Sequence, residues 1–343
     1  MRKRLPIGKM LTVGLLPSGL KKMYYQMKGY RFGRGVRLSI GCVLDICKGG
    51  RVYIGNYSKI GFFTVISGKS LYVGKRSNIR SGVLISANDT MIGDYVTISE
   101  TAIIRAGHLS KESNIRIDDY VHIFPSTNID PSRNVHLMEG CAVGPKCDIF
   151  THGSYKNIFD GYPVSYGDVT IGKRVELTYS VFVAPGVSIG DDAIIAYGSY
   201  VNKDIPAGVL AAGCPAKVKR EKEQFVAKHS TEEKQEILSQ ILKEFGEYLI
   251  YMEIIDYYDM DECRLSLVRK KKRVTIYFAP TASAKTIAKG DILISLKAEN
   301  PDCQSAAHYY NIDDLTCSEP TSEIEKELFR FFSRYGVRFT IDE

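Results

Sequence analysis

Aliphatic residues recur in this chain every six positions, and no other feature of the sequence restricts the fold so severely. The sets are Ile54/Ile60/Ile66, Val73/Ile79/Ile85, Ile92/Ile98/Ile104, Ile117/Ile123/Ile129 and Leu137/Val143/Ile149. An unbroken run follows through Ile171, Leu177, Val183, Ile189, Ile195 and Val201. Ile40 and Ile46 read as a ragged first turn. Four residues after each aliphatic stands a small or β-branched residue, as in Ser58, Thr64, Ser77, Val83, Val96, Ala102, Val121, Thr127, Val175 and Val181. A helix repeats at 3.6 residues and a flat strand at 2, so period six fits neither. It fits a chain that turns a corner every six residues. Three hexads then make one triangular coil of about 18 residues, and stacked coils make a prism with inward ladders of aliphatic side chains. Cys141 and Cys147 fall at the small inward position and read as core residues.

Breaks in the period carry further information. The step is seven from Ile66 to Val73 and from Ile85 to Ile92, 13 from Ile104 to Ile117, eight from Ile129 to Leu137 and 22 from Ile149 to Ile171. Every extra residue falls after the third hexad of a triplet, so all insertions leave from one corner of the prism. The two long ones, about 105–116 and 150–170, should project on one side, two coils apart. Long loops in a repeat protein usually mark its binding face.

The 343 residues allow two or three domains, with 44% hydrophobic and 25% charged residues, as in ordinary globular chains. No apolar run approaches the ~20 residues of a membrane-spanning helix. The net charge is +7, but residues 1–40 hold ten Lys/Arg and no acidic residue, which leaves 7 − 10 = −3 for the rest. That distribution argues against a nucleic-acid-binding domain. A basic amino-terminal arm suits peripheral contact with anionic lipid and equally suits simple solvation. Met1-Arg2-Lys3-Arg4 is positive enough for a leader, but Leu11–Leu16 is short, contains Gly14 and runs into Pro17-Ser18-Gly19, which argues against one. The eight cysteines form no CxxC pair and no regular framework, so they read as reduced thiols of a cytoplasmic protein, which could sit at the inner face of the membrane.

The stretch Gly167-Asp168-Val169-Thr170-Ile171-Gly172, continuing through Pro185-Gly186-Val187-Ser188-Ile189-Gly190 and Gly198-Ser199-Tyr200-Val201-Asn202-Lys203-Asp204-Ile205-Pro206 to Gly213-Cys214-Pro215-Ala216-Lys217-Val218, is more specific than the period alone. It resembles the closing segment of bacterial hexapeptide-repeat acyltransferases, among them maltose, galactoside, serine and exopolysaccharide O-acetyltransferases. The resemblance covers about residues 31–220 and implies a left-handed parallel β-helix. The handedness comes from the family, because left-handed crossovers are otherwise exceptional. The expected organisation is mainly β: a basic helical segment at 1–39, a β-helix at 40–220, and a carboxy-terminal helix with a small α+β domain at 221–343.

The flanks follow ordinary patterning. Residues 17–30 read as a short helix with Leu20, Met23, Tyr24 and Met27 on one face, ended by Gly29 and capping the first coil. Residues 231–252 read as an amphipathic helix opened by Ser230 or Thr231 with Glu233, its stripe being Leu238, Ile241, Leu242, Phe245, Leu249 and Met252. Strands are expected at Arg273–Phe278, Asp291–Leu296 and Val337–Ile341, with a helix from Ser322 to Arg334. Arg269–Arg273 is a run of five basic residues that suits a solvated strand entrance or an anionic ligand.

The resemblance implies transfer of an acyl group from acetyl-CoA, or another acyl-CoA, to a sugar or lipid-linked saccharide acceptor. It also implies a homotrimer with each site between two prisms and no metal. Such chemistry needs a general base, a path for the thioester arm and donors for the oxyanion. Of six histidines, His229 and His308 lie outside the prism, and His122 and His136 each precede an inward aliphatic. His152 opens the larger loop, three residues past Ile149, where the family's catalytic histidine lies, and is the expected base; His108 in the first loop is the alternative. Asn128, about one coil earlier, resembles the family's asparagine that binds the reacting hydroxyl, and equally suits a corner turn. Thr178, Tyr179, Ala196 and Tyr197 occupy the implied pantetheine path. Lys203, Lys217 and Arg220 suit the coenzyme phosphates.

Two departures affect that path. The family commonly has Trp-Ile-Gly where this chain has Glu176-Leu177-Thr178, and Gly-Ala-Gly-Ser where it has Ala196-Tyr197-Gly198-Ser199. Tyr179 and Tyr197 are 18 residues apart, one coil, and should stack; the pair could narrow the path or grip a different donor. An amino-sugar N-acyltransferase and a non-catalytic scaffold with the tyrosines filling the groove are the alternatives. A carbonic anhydrase on this fold fails, because the nearest histidines are 14 residues apart.

Overall fold

The computed structural model describes residues 6–153, 156–278, 290–296 and 308–342. The chain forms two compact units, Met1–Val226 and Ala227–Glu343. The first is a left-handed parallel β-helix whose short strands assemble into three parallel sheets of 8, 10 and 8 strands, the 10-stranded sheet ending in one antiparallel return. Each strand pairs with its equivalent one coil away: Ile60 is in register with Ile79, Ile79 with Ile98, Ile98 with Ile123 and Ile123 with Val143. The hexad aliphatics thus stack in ladders that are almost wholly buried, and the small residues four positions later, from Ser58 to Val181, are buried with them. Burial also pushes the Cys147 thiol up to about 11, as suits an inert core residue.

Corners are made by residues with left-handed backbone. Tyr57, Phe63, Arg76, Tyr95, Thr101, Tyr120 and Ser126 all have φ between 55 and 61° except Phe63 at 54°, and each stands three positions after an inward aliphatic. Non-glycine residues visit this region rarely. Their recurrence in step with the hexads shows that the coil geometry overrides local preference.

The first coil differs from the expected one. Its inward residues are Leu38 and Leu44, in register with Ile60 and Ile66, and the coil begins at the strand Arg31–Phe32. Ile40 is 47% exposed at a corner. The hexads of this coil are followed by the turn at Cys47–Gly50, an insertion at the same corner as the others, and it displaces the period that Ile40 and Ile46 seemed to continue.

Two short helices precede the prism, α1 (Ile7–Leu11) and α2 (Ser18–Gln26). The apolar face expected of α2 is mostly turned outward: Leu20, Met23 and Met27 are more than half exposed, only Tyr24 of that face packs against the core, and Lys21 and Tyr25 are buried. The cause is the open end of the first coil, whose backbone groups have no preceding coil to pair with. Lys21 Nζ donates to the carbonyls of Gly14 and Ser39, at 2.9 and 2.5 Å. Tyr25 Oη accepts from Leu44 N at 2.9 Å, and Ser18 Oγ accepts from Leu38 N at 3.1 Å. At the other end, Val209–Ala212 turns back as the antiparallel strand Lys217–Glu221.

The second unit is a mixed seven-stranded sheet with helices α3 (Thr231–Tyr251) and α4 (Glu323–Phe332). Ser230 and Glu233 cap α3 reciprocally, and its stripe is buried from Leu238 to Leu249, but Met252 lies beyond the last turn and is exposed. The expected strands appear as Lys272–Tyr277, Ile292–Ser295 and Thr340–Ile341. Strands Tyr257–Met260 and Arg264–Arg269 precede them, so the basic run Arg269–Arg273 is a hairpin turn with Lys270 and Lys271 at positive φ. Seven of the eight cysteines are in no disulfide; Cys303 lies outside the described residues. Among the described residues no helix is long and apolar enough to cross a membrane.

Candidate active site

Three successive coils carry insertions at one corner, and the middle one is the shortest. The first long loop follows the strand Ile103–Arg105, the dipeptide Pro131-Ser132 follows Asn128–Asp130, and the second long loop follows Asp148–Phe150. These strands are neighbours in one sheet, so Asp130 is enclosed between the roots of the two long loops. Burying a carboxylate is costly unless it is hydrogen-bonded. Asp130 is 6% exposed and accepts from Ser132 N at 2.8 Å, Ser132 Oγ at 2.6 Å and Gly107 N at 3.1 Å. The first loop is tied to the same turn, since His108 N donates to Ser132 Oγ at 2.9 Å. From the other side, Thr151 Oγ1 donates to the Asp130 carbonyl at 2.7 Å and accepts from Arg133 N at 2.9 Å.

His152 stands on a two-stranded antiparallel ribbon, His152–Gly153 against Ser165–Tyr166, which holds the base of the second loop closed. Its side chain is 16% exposed, and Nδ1 lies 3.3 Å from Asp130 Oδ2. That is close enough for charge attraction but too poorly aligned for a hydrogen bond. The His108 ring meets it edge to face, with centroids 5.0 Å apart, and the Tyr166 ring lies nearly parallel at 6.2 Å. Gly107 fits where a side chain would not. A Cβ there would fall 2.9 Å from Asp130 Oδ2 and 3.2 Å from His152 Cε1. The two histidines on separate loops therefore occupy one site.

Asn128 precedes Asp130 by two on the same strand and donates from Nδ2 to Asp148 Oδ1 at 3.3 Å. Tyr179 and Tyr197 do stack, with centroids 5.6 Å apart and planes 23° from parallel. Lys146 Nζ lies 5.6 Å above the Tyr179 ring, and its hydrogen bond to that tyrosine holds the ammonium pKa above its usual value. Thr178 Oγ1 donates to the Ile195 carbonyl at 3.0 Å, and the Ala196 carbonyl accepts from Ser199 Oγ at 2.6 Å. Lys203, Lys217 and Arg220 are exposed, and no ion pair engages them among the described residues. His136 pairs with Asp118 at 2.8 Å, and His122 contacts Ser99 Oγ at 3.2 Å. His229 and His308 face Glu233 and Glu325 in the second unit.

Asp130, Ser132, Gly107 and Tyr166 were not singled out by sequence. The signal for Asp130 was the eight-residue step after Ile129, a small insertion flanked on both adjacent long-loop coils. Among the described residues no group of three or more His, Cys, Asp or Glu side chains is arranged to hold a metal ion.

No family model matches the sequence. The chain is 51% identical over 131 residues to galactoside O-acetyltransferase of Escherichia coli K12, covering 37% of this chain and 64% of that protein. It is 30% identical over 108 residues to an Escherichia coli K12 protein named as an acetyltransferase of colanic acid biosynthesis, covering 32% and 59%. To bifunctional protein GlmU of Geobacillus thermodenitrificans it is 32% identical over 192 residues, covering 55% and 39%. The chain thus spans less than two thirds of the length of these relatives. Among solved structures, a UDP-N-acetylglucosamine acyltransferase from Campylobacter jejuni aligns with 18% identity and a TM-score of 0.42, over 63% of this chain and 80% of that one. Over the matched parts the chain is thus similar in sequence to proteins named as acetyltransferases.

Proposed function

We propose that this chain transfers an acyl group, most simply acetyl, from coenzyme A to a hydroxyl of a sugar or of a surface-polysaccharide precursor. The observation that carries this reading is the imidazole of His152 set against the buried Asp130 carboxylate, at the corner where both long loops leave the prism. With its proton on Nδ1, toward Asp130, the ring presents the lone pair of Nε2. That lone pair takes the proton of the acceptor hydroxyl as its oxygen attacks the thioester carbonyl. The C–S bond then breaks, the acyl group stays on the acceptor oxygen, and the imidazolium returns the proton to the departing sulfur. Asp130 stabilises the ring's charged form by charge attraction between the two steps. His108 closes one side of the ring and Tyr166 another.

The donor path would run past Thr178, Tyr179, Ala196 and Tyr197, with Lys203, Lys217 and Arg220 toward the phosphates. The exposed, unpaired state of these three cations suits a polyphosphate ligand. Asn128 would help hold the acceptor. We place the working unit as a homotrimer with the site between prisms, in the cytoplasm, where acyl-CoA donors are made. The aromatic column Phe150, Phe182 and Tyr200 beside the site supports packing against another prism. A hydroxyl acceptor is preferred over an amine because the 51%-identical relative is named an O-acetyltransferase.

A second reading rests on the tyrosine stack. Tyr179 and Tyr197, locked by Lys146, could plug the donor path and leave a scaffold. Calorimetric titration with acetyl-CoA, followed by acetyl transfer to a panel of galactosides, separates the two. The proposal expects binding, and a kcat for His152→Ala lowered ~10²-fold or more with unchanged folding. A wild type that binds no coenzyme A would sink it in favour of the scaffold. A loss of only two- or three-fold in His152→Ala, with His108→Ala severe, would assign the base to the first loop.

A further inference from the structure

The residues that satisfy the open end of the first coil are polar, and the price is an apolar surface turned to solvent. Because α2 directs Lys21, Tyr25 and Ser18 onto backbone groups, Leu20, Met23 and Met27, at i, i+3 and i+7, point away from the prism. Ile7 and Leu11 of α1 and Leu15 just after it are likewise more than half exposed. Leu20, Met23 and Met27 thus make an exposed apolar helix face, with three more exposed apolar side chains in the same segment, and apolar surface of this kind marks an interaction site.

The charge around the patch identifies its partner. Residues 1–44 contain no Asp or Glu, and Lys22, Lys28, Arg31, Arg34 and Arg37 lie in or beside this segment. Lys9 is neutralised by Asp45, and Lys21 is buried; no ion pair engages the other five among the described residues. A protein partner would need an acidic rim around an apolar centre. A bilayer with anionic headgroups supplies both at once: acyl chains for Leu20, Met23 and Met27, and phosphates for the cations. We propose that the amino-terminal end of the prism is a docking surface for an anionic lipid bilayer. In a side-by-side trimer three such patches would face one membrane and bind together. The inference does not depend on the acyl-transfer reading, and its test reads no catalysis.

The test is co-sedimentation of the full chain with vesicles of phosphatidylcholine alone and of phosphatidylcholine mixed equally with phosphatidylglycerol. Wild type should pellet with the anionic vesicles, weakly with neutral ones, and less as salt is raised. The exposed triple change Leu20→Gln, Met23→Gln, Met27→Gln should weaken binding at least ten-fold while leaving the melting curve intact. Lys22→Gln with Lys28→Gln should weaken it by roughly five-fold per charge. Equal binding by the triple variant and wild type, or no binding of wild type to anionic vesicles, would overturn the proposal. A wild-type oligomer that dissociates in the triple variant, with no vesicle binding by either, would show that a second copy covers the face instead.

Discussion

Gly107→Ala tests whether the first loop is seated against the candidate base in the working protein. The added methyl would lie 2.9 Å from Asp130 Oδ2, 3.2 Å from His152 Cε1 and 3.6 Å from Nε2. Ordinary contacts for these atoms are about 3.5–4.0 Å, so something must move by roughly half an ångström. The carboxylate cannot yield easily, because Ser132 N and Oγ hold it at 2.8 and 2.6 Å. The imidazole is the weaker member, since its Nδ1 makes no aligned hydrogen bond. A misplacement of ~1 Å at a reacting group can cost ~10²-fold, so half of that predicts a fall in kcat of ~10-fold with little change in KM for the donor. The assay is thiol release from acetyl-CoA in the presence of a galactoside acceptor, beside a thermal melt. Gly19→Ala, where nothing lies within 4 Å, is the control and should leave the rate unchanged. Combining Gly107→Ala with His152→Ala adds a second check, because the methyl should have no further effect once the ring is gone. A single Gly107→Ala variant within two-fold of wild type, with an unchanged melt, would mean that the loop does not rest on His152 during turnover.

Trimming Tyr179 and Tyr197 to Ser and Ala should tighten acetyl-CoA binding or admit longer acyl donors, at a stability cost of ~1–3 kcal/mol for the lost ring contact; unchanged donor affinities in a folded variant would put the channel elsewhere. Lys21→Met removes the charged donor from the carbonyls of Gly14 and Ser39, which keep Gly41 N and Cys42 N, and should lower stability by ~1–3 kcal/mol in a denaturant melt, whereas a loss under ~0.5 kcal/mol would mean that those backbone donors suffice. The Arg174 guanidinium beside Asp192 holds that carboxyl below its usual value of 3.8. Being more acidic folded than unfolded, Asp192 contributes its stabilisation above pH 3.8, and loses it as pH falls through the folded pKa, so the melting difference between wild type and Asp192→Asn should shrink in acid and stay constant near neutrality.

The prism was legible because its period is unlike any other. Each hexad places one aliphatic inward, and a ladder of Ile60, Ile79, Ile98, Ile123 and Val143 follows from counting alone. Tyr179 over Tyr197 was legible for the same reason, since residues one coil apart must lie above one another. Counting failed where an insertion was short. Four extra residues at Cys47–Gly50 made Ile40 and Ile46 look periodic, although Leu38 and Leu44 fill the core. Counting also placed the two extra residues after Asp130 on the coil between the two long loops, but not the burial of the Asp130 carboxylate there, because spacing sets position and not enclosure. The second unit was less legible because its sheet mixes parallel and antiparallel neighbours, so no single spacing relates one strand to the next.

Helix α2 shows a different limit of pattern reading. Spacing grouped Leu20, Met23, Tyr24 and Met27 on one face, of which only Tyr24 packs against the core, and the rule that sends an apolar face inward assumes an apolar surface to receive it. The end of a β-helix is not such a surface. It is a row of N–H and C=O groups that lack the coil that would pair with them, and each left buried and unpaired costs ~1–3 kcal/mol. Against Leu38 N and Leu44 N a leucine offers nothing, whereas Ser18 and Tyr25 supply the two acceptors, and the Lys21 ammonium ties the Ser39 carbonyl of the coil to the Gly14 carbonyl of the preceding turn. Backbone satisfaction therefore decided the orientation of the helix, and the apolar residues went outward as its consequence. The same four hydrogen bonds that close the core thus expose the face that we assign to the bilayer. A change that turned α2 over would cost both the cap and the patch.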